Sequence, residues 1–415
     1  MGRIYLASNG ITIKCENCVV GEKLMFNGEE YEVVNDYLLG QRVKENAPLD
    51  RLVTSMVTKM VSLFKEKDVE YSIESWDVSS VTDMNFLFSL SEFNQPIGHW
   101  DVSSVTNMSG MFHGSNFNQP IGDWNVSSVT NMEGMFVKST FNQNIGGWNT
   151  YKVETMSGLF CDSQFNFPIE DWNVSSVKNM SFMFSGSLFN QPIEKWNVYH
   201  VNDMSFMYQG SKFNQPIEDW NVSSVKNMSF MFSGSLFNQP IEKWNVYHVN
   251  DMSFMFQGSK FNQPVNDWNV SNVNNMSGMF SFSEFDQPLS EWNTSDVTDM
   301  SYMFKNSKFN GNIGQWYVKK VLDMSFMFEN SLFDQSIHDW KVDNVTDMCA
   351  MFKGSSFNQN IRNWNVSNVS DMEHMFMDSK FNQPIGKWMV RKFVNLRGMF
   401  YNSPLQNCPP NWYSE

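Results

Sequence analysis

Residues 117–136 read FNQPIGDWNVSSVTNMEGMF, and this stretch returns with small changes along most of the chain. Its tryptophan, Trp124, is one of 15, and each lies 24 residues from the next, from Trp76 to Trp412. No insertion or deletion interrupts the series. Every unit therefore answers the same geometric demand, most simply met by a stack of equal coils, a solenoid.

Counted from each tryptophan as position 0, the columns are regular. Valine recurs at 2 and 5 (Val126, Val129), methionine at 8 (Met132) and methionine or leucine at 11 (Met135, Leu159). Phenylalanine holds 12 and 17 (Phe136, Phe141), asparagine or aspartate 18 (Asn142, Asp286) and isoleucine 21 (Ile145). Positions 5, 8, 11 and 12 share one face of a short helix. Ser80 and Asp83 have capping-box spacing, and Gly114, Gly186 and Gly210 at position 14 suit a left-handed helix C-cap. Positions 0 and 2 share one face of an extended segment. Pro96, Pro120 and Pro192 bound that segment, because proline cannot donate to a ladder. The expectation is one short parallel strand and one short helix per 24-residue coil. A lone coil has too little apolar surface to offset the entropy of ordering it, so neighbours must supply the cover. The methionine columns read as core filler. The asparagine column reads either as amides offered to a ligand or as an internal ladder satisfying turn backbone groups; its persistence from coil to coil favours the ladder.

Three segments are expected. Residues 1–45 lie outside the repeat and form a small β-hairpin module. Its strands are Arg3–Ala7, Thr12–Glu16, Lys23–Phe26 and Glu30–Val34, with Asn9-Gly10 and Asn27-Gly28 as two-residue turns. Residues 46–75 are expected to be helical, a degenerate capping repeat. Leu49, Leu52, Val53, Met56, Met60, Leu63 and Phe64 are spaced for an amphipathic helix over residues 49–64. Val57, Met60, Leu63, Phe64, Val69 and Ile73 also keep the repeat register. Residues 76–415 are the solenoid of 24-residue repeats. Within it, residues 172–216 and 220–264 differ only at Tyr208 and Phe256, as a recent duplication would leave them.

A net charge of −15 disfavours nucleic acid, which needs a basic face, and suits a basic protein partner. Position 23 runs Asp171, Lys195, Asp219, Lys243, Asp267, beside an acidic row at position 22. The candidate interaction stripe is Glu170, Asp171, Glu194, Glu218, Asp219 and Glu242. The 5 cysteines are scattered and form no disulfide framework. Cys15 and Cys18 make a CxxC without a second ligand pair nearby, so neither zinc nor any other metal or cofactor is expected. No apolar run is long enough to span a bilayer, and Met1–Gly10 lacks the apolar core of a signal peptide. Without membrane insertion, an intracellular or virion-associated location is expected. No Gly-rich phosphate loop, G-x-S-x-G or H-E-x-x-H occurs, so no catalytic residue and no small-molecule substrate is assigned. A lectin-like role would need aromatics facing solvent, whereas the regular Trp, Phe and Tyr read as interior. Two readings remain: a non-enzymatic protein–protein interaction scaffold, or a structural or assembly component, of a virion for example, without a discrete ligand.

The unit F-N-Q-P-I-x-x-W-N-V-S-S-V-x-N-M-x-x-M-F resembles the repeat of BspA-like leucine-rich-repeat proteins, a family catalogued in mycoplasma surface lipoproteins. Matching stretches run from Asp77 to Trp412. The segment GITIKCENCVVGEKLMFNGEEYEVV at Gly10–Val34 is similar to the hairpins that precede the first coil in that family. The resemblance implies a leucine-rich-repeat type of solenoid, roles in adhesion and protein recognition, and no catalytic residues. Similar repeats are expanded in large DNA viruses. Lacking a signal peptide and a lipobox cysteine, the chain is expected to be a non-secreted member, intracellular or virus-encoded.

Overall fold

Alternating apolar residues near the N-terminus make four short strands. β1 (Arg3–Leu6) and β2 (Ile13–Glu16) pair antiparallel, with Ile4 opposite Cys15. β3 (Lys23–Phe26) and β4 (Glu29–Asn35) form a second hairpin. Asn27 and Gly28 close it with φ of 50° and 84°, the left-handed values a two-residue hairpin turn asks of both central residues. The first turn is longer than expected. It runs from Ala7 to Thr12, and Asn9 Oδ1 accepts the N–H groups of Ile11 and Thr12 at 3.0 Å.

Helix α1 (Asp36–Lys44) follows β4, capped by Asn35 Oδ1, which accepts the Leu38 N–H at 3.0 Å. It carries the chain to β5 (Leu52–Met56), parallel to β4 with Val33 opposite Val53. The helix expected over residues 49–64 is replaced by a 3-10 turn at Leu49–Arg51 and by β5. The β-branched Val53 and Thr54 find a strand edge in β4, and that pairing outweighs the helical spacing of the leucines. The repeat register of this segment holds in part: Val57, Met60, Phe64 and Ile73 are buried, whereas Leu63 and Val69 are half-buried.

The structure, a computed structural model, describes residues 2–414 in two compact units, Met1–His200 and Val201–Glu415. Within each unit, successive repeats are joined by a parallel bridge at position 7, such as Asn107↔Asn131 in the first and Asp251↔Asn275 in the second. Each bridge is a single residue. Among the described residues, neither a helix nor a longer strand forms after Met56. This differs from the expected strand plus helix, and the sign of φ explains it. Positions 10 and 14 are left-handed in every repeat: φ is 52° and 55° at Phe86 and Leu90, 55° and 61° at Phe254 and Gly258. A left-handed residue ends a helix, and two of them four residues apart make consecutive turns with φ > 0 at the third residue. Gly114, Gly186 and Gly210 are left-handed as expected, but inside these turns.

The turns divide their N–H groups in two sets. Met255, Gln257 and Ser259 donate within the repeat, to the carbonyls of Met252, Phe254 and Phe256 at 3.2, 3.1 and 3.1 Å. Met252, Phe254, Phe256 and Gly258 donate onward, to Asn275, Ser277, Met279 and Ser281 at 3.0, 2.7, 3.0 and 2.8 Å. Alternate donors thus find their partner only in the next repeat, and an isolated repeat would leave them unsatisfied.

The apolar columns are interior, as their spacing requires. Val129, Met132, Met135, Phe136, Phe141 and Ile145 are 0% exposed and Trp124 is 3% exposed. Phe136 stacks on Phe141 at 4.3 Å and on Phe160 of the next repeat at 5.7 Å. Trp124, Trp148 and Trp172 stack at 6.5 and 6.2 Å. Indole N–H groups reach a carbonyl 27 residues back, as Trp268 Nε1 does to Ile241 at 3.1 Å. The Trp100 Nε1 is buried without a protein partner among the described residues.

The asparagine column is a structural ladder, close to the surface rather than deep inside. Asn238 Oδ1 accepts the Asn262 N–H at 2.9 Å and the Gln263 Nε2 at 3.2 Å. Only an acceptor is needed, so Asp334 serves equally, taking the Asn358 N–H at 2.8 Å.

Candidate binding surface

The six residues of the acidic stripe lie on the outside. Asp171, Glu194, Asp219 and Glu242 are exposed, and Glu170 and Glu218 are half-buried. The lysines interleaved with them bridge repeats. Lys195 Nζ is 3.2 Å from Glu170 in the first unit. In the second, Lys243 Nζ is 3.2 Å from Glu218 and 3.3 Å from Asp219. Hydrogen bonds to Glu170 and to Glu218 raise these two ammonium groups above the ordinary lysine range. Pairs this exposed add little stability. They tie up Glu170, Glu218 and Asp219, and with six carboxylates to two lysines the row stays net acidic.

A second outer row has no counterpart among the residues singled out by charge or motif. Position 10 holds Phe206, Phe230 and Phe254 in successive repeats of the second unit, then Gly278, Tyr302 and Phe326. Positive φ here turns the side chain away from the core, and all five rings are half-exposed. Phe206 stacks on Phe230 at 4.6 Å and Phe230 on Phe254 at 4.7 Å. The Phe254 ring lies over Gly278, where an added Cβ would stand 2.1 Å from it. Tyr302 and Phe326 stack at 4.7 Å. A signal for this row does exist in the sequence. Rings share the column with Gly110, Gly134, Gly158 and Gly278, and glycine recurring inside an apparent helix marks a left-handed position.

One cation is seated on the row from within the chain. Lys305 Nζ stands over both rings of its pair, 5.3 Å from the centre of Tyr302 and 5.1 Å from that of Phe326. It also lies 2.8 Å from the buried carboxylate of Glu329, which Lys353 approaches at 3.4 Å. Burial, followed by the charge of Asp323, raises the Tyr302 hydroxyl above its usual range. Lys65 has the same register in the first unit, 5.9 Å over the single ring of Phe86, with Ser62 and Ser89 in the places of Tyr302 and Glu329. Between Phe230 and Phe254 the residue in register with Lys305 is Ser233, and the one in register with Glu329 is Gln257. Ser233 Oγ is 3.4 Å from Gln257 Oε1. Among the described residues, no lysine or arginine stands over Phe230 or Phe254.

Cys15 and Cys18 carry free thiols, and burial, with Cys18 beside it, pushes Cys15 up to about 12. The histidines occupy separate repeats. His113 lies 6.4 Å from the Phe86 ring, and burial lowers it below the usual imidazole range. His338 pairs with Asp339 at 3.0 Å. Among the described residues no group of three His, Cys, Asp or Glu could hold a metal ion, and no helix is long and apolar enough to cross a membrane.

A family profile described as "Mycoplasma protein of unknown function, DUF285" matches residues 36–146, 138–239, 233–332 and 306–412. Four tandem matches make this a repeat protein, and that repeat family is related to BspA-like proteins. No curated protein and no solved structure gives a match.

Proposed function

Because the chain belongs to the DUF285 repeat family, we propose that it is a non-enzymatic protein-binding scaffold, a solenoid of leucine-rich-repeat type whose outer face engages another protein. The observation that carries this reading is the half-exposed aromatic column at Phe206, Phe230 and Phe254. A bulky residue at positive φ costs about 1–2 kcal/mol. Sister repeats fold with Gly110, Gly134, Gly158 or Gly278 in the same column. The fold therefore does not need a ring there, and rings held outward against that cost are what a partner would meet. Aromatic residues are also enriched among those that dominate binding energy.

The test is affinity capture on the immobilised full chain, at low and high salt. The expected result is a protein that binds saturably and is released when Phe206, Phe230 and Phe254 are replaced by glycine. Absence of any saturable protein ligand at every salt concentration would overturn the scaffold.

A further inference from the structure

We propose that Phe230, Phe254 and Gln257 form a seat for a lysine side chain presented by the partner protein. This rests on the scaffold reading and names what the partner must offer.

The chain contains its own worked case. Lys305 lies three residues after Tyr302 and 21 before Phe326, and its ammonium stands over both rings within 5.3 Å. An ammonium within about 6 Å of a ring centre is attracted by the ring quadrupole. The next residue of that column, Glu329, accepts the charge at 2.8 Å. Ser233 has the same register between Phe230 and Phe254, which stack at the same 4.7 Å as Tyr302 and Phe326. Serine is short and carries no charge, so an ammonium over these rings has to come from outside. Gln257 stands where Glu329 does, and its carbonyl oxygen provides the acceptor. Lys65 over Phe86 is a second instance, in the other unit, of a cation in this relation to a position-10 ring. The net charge of −15 draws in a basic partner.

The full chain is titrated with the capped peptide Gly-Ser-Lys-Ser-Gly, and with the same peptide carrying norleucine for lysine, using saturation-transfer NMR. The lysine peptide is expected to bind and the norleucine peptide to bind far less. Phe230→Gly with Phe254→Gly puts in the residue that sister repeats use natively, so the fold is kept. It should weaken binding about tenfold, two rings at ~0.5–1 kcal/mol each. Ser233→Lys fills the seat from within and should weaken binding similarly. Asn202→Lys adds the same charge in a column where Lys178 and Lys226 stand naturally, and should change little. Equal loss in Ser233→Lys and Asn202→Lys would reduce the effect to long-range attraction and overturn the seat. Tight binding of the norleucine peptide, unaltered binding in the double glycine variant, or displacement of the peptide by cellohexaose would each overturn it too. A captured protein that survives the double glycine variant would sink the seat and leave the scaffold. Peptide binding through these rings, with no protein ever captured, would sink the scaffold instead.

Discussion

Asparagine at position 18 acts as an acceptor, and a single substitution separates that role from amide donation. Asn238→Ala removes the acceptor from both Asn262 and Gln263. It is expected to cost about 1–3 kcal/mol, read as a lower urea midpoint at constant slope. Asn238→Asp keeps the acceptor and should leave the midpoint nearly unchanged; a loss as large as alanine's would refute the ladder. Tyr208 offers a test by pH. Burial raises its hydroxyl well above the usual tyrosine range, whereas in the unfolded chain it titrates near ~10. Above that pH the unfolded state binds fewer protons than the folded one, so stability falls as pH rises. The slope reaches at most ~1.4 kcal/mol per pH unit. Tyr208→Phe, the residue its duplicate Phe256 already has, removes this term. The two unfolding curves should therefore diverge above pH ~10, and parallel curves would contradict the burial. At this scale the interior columns and the asparagine ladder were legible, because each residue type has one use there. The position-10 rings were not. A phenylalanine reads as core unless the backbone sign is known, and only the glycines sharing its column carry that sign.

At the scale of the element, apolar spacing proved degenerate. Residues three and four apart line one face of a helix, and they also line the inner side of consecutive turns. Helical spacing at positions 5, 8, 11 and 12 therefore identified the buried side correctly and the element wrongly. The deciding information lay in Phe86 and Leu90, Phe254 and Gly258, whose left-handed φ the apolar spacing does not reveal. Helix α1 escaped for the opposite reason, since only Leu39 and Val43 are buried along it. The turns fix the register of the onward hydrogen bonds, and this sets what the chain tolerates. Removing residues 220–267 excises two whole repeats and rejoins equivalent positions. The shortened chain is expected to keep its near-UV circular dichroism and unfold cooperatively with a smaller urea slope. Removing residues 220–231 would face tryptophans with the wrong column and should abolish the near-UV signal. Equal tolerance of both deletions would argue against register as the organising constraint.

For the whole molecule, the count and spacing of the tryptophans are enough to decide the class of architecture, because only a repeated environment tolerates so strict a period. Membership of a repeat family over residues 36–412 agrees with that. The candidate binding surface was far less legible. The charged row at positions 22 and 23 drew attention because charge is visible in a sequence; part of it is tied up within the chain, as Glu218 is by Lys243. The ring row was hidden among 37 phenylalanines, most of them interior.

The onward hydrogen bonds of each turn run from one repeat to the next, a few at a time and all alike. Held at its two ends and drawn apart in an optical trap, a unit built this way should peel. Each rung would carry the tension alone, give way at low force and pass the load to its neighbour. The record should be a staircase whose treads each correspond to 24 residues of released chain, roughly 80 Å at ~3.3–3.6 Å per residue. A unit that let go in one rupture would mean that its repeats share tension.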